Sequence, residues 1–93
     1  MTNKYEVALV LLVANGDEAV NALKEKFNDL IAKNGTVENV DEWGKRRLAY
    51  PINDETEGYY IFTTMTSEPA LPAELERIAG ITEGVLRIMV IRK

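Results

Sequence analysis

Ninety-three residues with 46% hydrophobic content are what one domain with a modest core requires. The sequence holds no cysteine and no histidine, which excludes disulfides, the usual zinc sites and Ser-His or Cys-His catalysis. Its net charge of −4 argues against a broadly basic nucleic-acid surface, so any phosphate-binding site has to be a local cluster of cations.

Met1-Thr2-Asn3-Lys4 leads into a strand-like pattern and not an apolar signal core. No apolar run approaches the ~20 residues of a membrane span. The cytoplasm is the expected location. The first predicted strand covers residues 5–13. Tyr5, Val7, Leu9 and Leu11 fall on one face, with Glu6, Ala8, Val10 and Leu12 on the other. Both faces are largely apolar, the mark of a central strand. Asn15-Gly16-Asp17-Glu18 reads as a turn into a helix, along which Val20, Leu23, Phe27, Leu30 and Ile31 recur at helical spacing. Asn34-Gly35 is its stop. A second strand opens at residue 36, meets an irregularity or bulge over 41–44 and resumes through Ile52. Residues 53–58 read as a polar hairpin loop, and residues 59–66, rich in aromatic and β-branched side chains, as a third strand. Pro69 and Pro72 open a second helix with an apolar stripe of Leu71, Leu75 and Ile78, ended by Gly80. A turn at 82–84 leads to a last strand over 85–92.

The order β-α-β-β-α-β is that of the ferredoxin-like fold, an α+β architecture of four antiparallel strands in the order 4-1-3-2. A single domain spanning residues 1–93 is expected. Two helices cover one sheet face only. Parity assigns Val7, Leu9, Ile61, Met65, Ile88 and Val90 to the helix side. Glu6, Ala8, Val10, Tyr60, Phe62, Thr64, Arg87, Met89 and Ile91 go to the open side. With Leu48 and Tyr50 toward the helices, Arg47 and Ala49 join the open side. Such a face is too apolar to stay wet and marks a partner surface centred on Val10, Tyr60, Phe62 and Met89.

Gly44-Lys45-Arg46-Arg47-Leu48-Ala49-Tyr50-Pro51-Ile52-Asn53 places three adjacent cations in a strand pattern. Neighbouring strand side chains point to opposite faces, so at least one cation lies on each side of the sheet. An anionic partner explains the segment, as does a charged guard on an edge strand. Gly44, Arg46, Arg47, Leu48, Ala49, Tyr50, Ile52 and Asn53 match every fixed position of the diagnostic motif of the bacterial small-subunit ribosomal protein six family, which this chain resembles. Lys4-Tyr5-Glu6-Val7 and Leu86-Arg87-Ile88-Met89-Val90-Ile91 are similar to its first and last strands. The loop Val13-Ala14-Asn15-Gly16 departs from it, lacking the basic residue and proline often found there.

The resemblance implies a structural role in the small ribosomal subunit: binding small-subunit ribosomal RNA as a heterodimer with small-subunit ribosomal protein eighteen. Lys4, Tyr5, Lys45, Arg46, Arg47, Arg87, Arg92 and Lys93 are then the candidate RNA contacts. Tyr5 and Trp43 are alternative candidates for stacking on a base, and Trp43 packed over the bulge is the competing reading. An RNA reader of the RRM kind shares the topology, but Ala8 and Val10 stand where stacking aromatics are wanted. Asn15-Gly16 does not make the phosphate cradle of an acylphosphatase. A dimeric-barrel enzyme wants a catalytic group on the open face, where Glu6 has no base partner. A ligand-sensing module is normally fused to an enzyme. No catalysis, cofactor or metal is expected. Asp54, Glu55 and Glu57 lack the ligand spacing of a calcium loop.

Overall fold

The computed structural model describes residues 2–52 and 55–93, with side chains omitted for 49–52. The elements run β1 (Asn3–Leu12), α1 (Asp17–Asn34), β2 (Gly35–Ile52), β3 (Glu55–Ser67), α2 (Ala70–Ile81) and β4 (Val85–Arg92). The strands form a four-stranded antiparallel sheet in the order β2-β3-β1-β4, the expected ferredoxin-like order read from the opposite edge.

Placing β1 between β3 and β4 satisfies a strand that is apolar on both faces. Its odd residues Tyr5, Val7, Leu9 and Leu11 form the floor of the core with Ile61 and Met65 of β3. From α1, Val20, Phe27 and Ile31 enter the same cluster, and from α2 come Leu71, Leu75 and Ala79. Ile88 and Val90 pack against it from β4. Each of these side chains is about one to three kilocalories' worth of buried apolar surface, so this single layer is the main source of stability. α1 begins with Asp17 and Glu18 in its first turn, where carboxylates favour the positive end of the helix dipole. It passes directly into β2 at Gly35.

Two sequence expectations change. β3 starts at Glu55, so Glu55–Gly58, read as loop, extend the strand opposite Arg46, Arg47 and Ile52. The β2-β3 arm is therefore longer than the polar composition of that stretch implied. The proposed hairpin tip at Asn53 and Asp54 lies outside the described residues. The second change concerns β2, whose pairing with β3 slips between Val37 and Asn39, between Glu42 and Gly44, and again between Arg47 and Ile52. The middle slip is the bulge expected over 41–44, and Gly44 sits there at φ 79°, a left-handed conformation open to glycine at little cost. Each extra residue at a bulge reverses which face the following side chains take.

Candidate nucleic-acid interface

The face turned away from the helices carries Glu6, Ala8, Val10, Tyr60, Phe62, Thr64, Arg87, Met89 and Ile91. Register fixes this, because Val10 lies opposite both Tyr60 and Arg87, Ala8 opposite Phe62 and Met89, and Glu6 opposite Thr64 and Ile91. Met89 and Ile91 are exposed at 40% and 48%, while Tyr60 and Phe62 are half-buried. Val10, however, is only 6% exposed. A methyl group added at Gly58 would meet Val10 Cγ1 at 2.5 Å and Leu48 Cδ2 at 3.4 Å, so both side chains converge over this glycine. Leu48 is therefore on the open side, which corrects the expectation that it faces the helices. The slip at Glu42/Gly44 is the physical reason. With Leu48 turned this way, Arg46, opposite Gly58, takes the open-side register in place of Arg47, opposite Glu57. The facing of Ala49 and Tyr50 lies outside the described side chains. Val10 and Leu48 thus form a small second core that supports the open face from within.

Trp43, at the bulge, turns its ring onto this face and stays half exposed. Its ring centroid lies 4.6 Å from that of Phe62, tilted by 53°, and Phe62 lies 6.4 Å from Tyr60. The indole Nε1 donates a hydrogen bond to Asp41 Oδ2 at 2.9 Å, fixing the ring plane. The Arg46 guanidinium stands 5.9 Å from the indole centroid, within cation–π range. Trp43, Arg46, Arg47 and Tyr60 together line a shallow depression. Among the described residues, neither Arg46 nor Arg47 has a carboxylate partner.

The other candidate cations are placed differently. Lys4 Nζ contacts Glu38 Oε1 at 3.1 Å and Lys93 Nζ contacts Glu6 Oε2 at 3.4 Å. Arg92 Nη2 donates to Asn3 Oδ1 at 3.1 Å. The Thr66 hydroxyl donates to Glu38 as well, and that bond, then Lys4, holds the Glu38 carboxyl below the usual carboxylate range. This group sits where β1 begins and β4 ends. Arg87, opposite Val10, is six β1 residues further along, roughly 20 Å at strand rise. The candidate cations thus do not form one patch: Arg87 on β4 and Arg46 and Arg47 on β2 stand at opposite edges of one end of the sheet, with Lys4, Arg92 and Lys93 at the other end. Lys45, opposite Tyr59, takes the helix-side register.

Tyr5 is corrected outright as a stacking residue. It is 7% exposed within the core between sheet and helices, with only its hydroxyl reached by Asn3 Nδ2 at 3.4 Å. It shares the helix-side parity of Val7 and Leu9, and that parity puts its ring in the core.

Sequence reasoning also missed a contact on the helix side. Glu42 Oε1 accepts hydrogen bonds from Lys24 Nζ and from the Tyr59 hydroxyl, both at 2.8 Å. The Lys24 ammonium lies 5.2 Å from the Tyr59 ring centroid. The hydrogen bond from Lys24, followed by that from Tyr59, lowers the Glu42 pKa, while bonding to Glu42 raises those of Lys24 and Tyr59. The trio ties α1 to the β2-β3 arm beside a groove of about 420 Å³ lined by Val7, Leu9, Phe27, Ile31 and Ile61. No local motif announces a contact that joins three separate elements. Among the described residues there is no cluster of acids, histidines or cysteines able to hold a metal ion, and no helix long and apolar enough to cross a membrane.

The family model for ribosomal protein S6 matches residues 4–92. The chain belongs to the ribosomal protein S6 family. Small ribosomal subunit protein bS6 of Clostridium novyi is 51% identical over 88 residues, covering 94% of this chain and 93% of that protein. Its counterpart in Caldanaerobacter subterraneus is 46% identical over 89 residues, covering 95% and 94%. The crystal structure of 30S ribosomal protein S6 from Thermotoga maritima superposes with a TM-score of 0.92 at 23% identity, covering all of this chain and 89% of that one. The last comparison concerns the fold. Family membership rests on the sequence matches, whose span includes both the cationic segment and the last strand.

Proposed function

We propose that this chain is a structural, non-catalytic component of the small ribosomal subunit that binds small-subunit ribosomal RNA as a heterodimer with small-subunit ribosomal protein eighteen. Residues 1–93 act as one domain, ribosome-associated in the cytoplasm. The observation that carries this reading is the open sheet face, apolar at its centre and cationic at both ends. Phe62, Tyr60 and Met89 receive the partner, with Val10 and Leu48 supporting them from below. From this face Arg46 and Arg87 supply phosphate contacts at one end and Lys4 and Lys93 at the other, while Lys45, Arg47 and Arg92, in the helix-side register of the two edge strands, add theirs from the sheet edges. Tyr5 has no part in it. With a net charge of −4, the chain alone binds RNA weakly, and a basic partner completes the surface. Phosphate contacts position the complex, and specificity comes from RNA shape and from the pair together.

The test is RNA binding at several salt concentrations, by the chain alone and by the pair, to a central-domain fragment of small-subunit ribosomal RNA. Weak binding alone and tight, salt-sensitive binding by the pair is the expected result. Equal affinity with and without the partner would overturn the heterodimer reading.

A further inference from the structure

The depression at the β2 bulge combines features that neither a solvated edge nor a purely apolar docking face requires. An indole is half exposed yet held by a hydrogen bond to Asp41 and by contact with Phe62. The Arg46 guanidinium stands 5.9 Å from the indole centroid, Arg47 and Tyr60 line the same hollow, and neither arginine has a carboxylate partner among the described residues. An apolar partner side chain would leave the Arg46 guanidinium facing it without an anion. A duplex backbone would meet the guanidiniums but leave the indole unused. An unpaired nucleotide matches both halves, because its base offers a flat π-face and its phosphate a negative charge.

We propose that Trp43, Arg46 and Arg47 form a binding site for one unpaired nucleotide of RNA, its base stacked on the indole and its phosphate held by the guanidiniums. The site deepens the RNA-binding reading above and rests on it. It stands at the β2 rim of the open face, where a protein partner covering Phe62 and Met89 meets the RNA. The bulge serves the site directly: the slip between Glu42 and Gly44 brings Trp43 and Arg46 to the same side of the sheet. The hydrogen bond to Asp41 holds the ring before ligand arrives, so little ordering is left for binding.

Trp43 is the chain's only tryptophan, so its fluorescence reports on this site alone. The intact chain is titrated with a single-stranded oligoadenylate, a duplex RNA of the same length, inorganic polyphosphate and an acidic peptide. Saturable quenching by the single strand, at lower concentration than by the duplex or polyphosphate, is expected. Trp43→Ala, followed by polarisation of a labelled oligonucleotide, loses about tenfold in affinity or more, whereas Trp43→Phe keeps most of it. Circular dichroism of Trp43→Ala checks its fold, and Arg46→Ala with the indole intact is the second variant, expected to weaken quenching. Equal quenching by polyphosphate or duplex would overturn the stacked base, and quenching by the acidic peptide alone would make the hollow a protein contact. The pair is assayed in parallel on the ribosomal RNA fragment. Full, salt-sensitive binding by a pair carrying Trp43→Ala would remove the nucleotide site and leave the broader function standing. Absence of all RNA binding would remove both.

Discussion

At the scale of single residues, two positions carry more than their surroundings suggest. Glu42 accepts two hydrogen bonds in the fold, and its pKa is lowered by Lys24 first and Tyr59 second. A carboxyl depressed on folding stabilises above its unfolded value and loses that contribution as pH falls through its folded value. The Glu42 side chain is 43% exposed, so solvent screening keeps the contribution to about 1 kcal/mol or less. Glu42→Gln is therefore less stable than the parent at pH 7. The gap in denaturation midpoint closes as pH drops below the ordinary carboxylate value of 4.5. A gap that persists unchanged at pH 3 would mean that packing, not charge, is the contribution. Gly58 is the other position, where an added methyl group meets Val10 Cγ1 at 2.5 Å. Gly58→Ala overpacks the small core under the open face and costs about 1–3 kcal/mol. Val10→Ala opens space at the same point, so the double variant is expected to be more stable than the sum of the single losses predicts. Strict additivity in urea unfolding would show that the two side chains do not share that space.

At the scale of elements, legibility followed periodicity. β1 and both helices were readable because their apolar spacing repeats without interruption, and the face assignment of Phe62, Met89 and Ile88 came from the same rule. β2 was readable only to the bulge. An extra residue leaves no mark in hydrophobic pattern, yet it reverses the facing of all that follows, which is why Leu48 and Arg46 are found where Arg47 was expected. The length of the β2-β3 arm was hidden as well, since residues 55–57 look like loop but belong to the strand, with Glu55 and Glu57 paired to β2. Tyr5 is different, since strand parity already groups it with Val7 and Leu9 of the core, and only the resemblance made it a candidate RNA contact. The element-level prediction concerns β3. Phe62 lies on the open side and outside the main core, so Phe62→Glu is expected to leave the fold intact and to block assembly with the proposed protein partner. Size-exclusion chromatography of the chain mixed with the proposed partner reads the second effect and far-ultraviolet circular dichroism the first. An unfolded Phe62→Glu chain would mean that the open face is part of the core.

For the whole molecule, the distribution of charge decides how an acidic protein would hold RNA in the proposed function. The formal charge of −4 is offset locally in two places, and the two are not equivalent. Lys4 and Lys93 already contact Glu38 and Glu6, so meeting a phosphate means exchanging one anion for another. Arg46 and Arg47 make no such exchange among the described residues. Counterion release scales with the phosphates neutralised, at a slope of about 0.7 to 0.9 per contact. Replacing Arg46 and Arg47 together by Ala in the proposed heterodimer should therefore flatten the dependence of log affinity on log salt by about 1.5. Neutralising the acids at the other end, with Glu6→Gln and Glu38→Gln, frees Lys4 and Lys93 and should instead tighten binding and steepen that dependence. Filter binding of the ribosomal RNA fragment across a salt series measures both slopes. An unchanged slope for the arginine variant would remove both residues from the phosphate contacts. Weaker binding by the acid variant would mean that the ion pairs of Lys4 and Lys93 position the end strands and that their cations are not held in reserve for RNA.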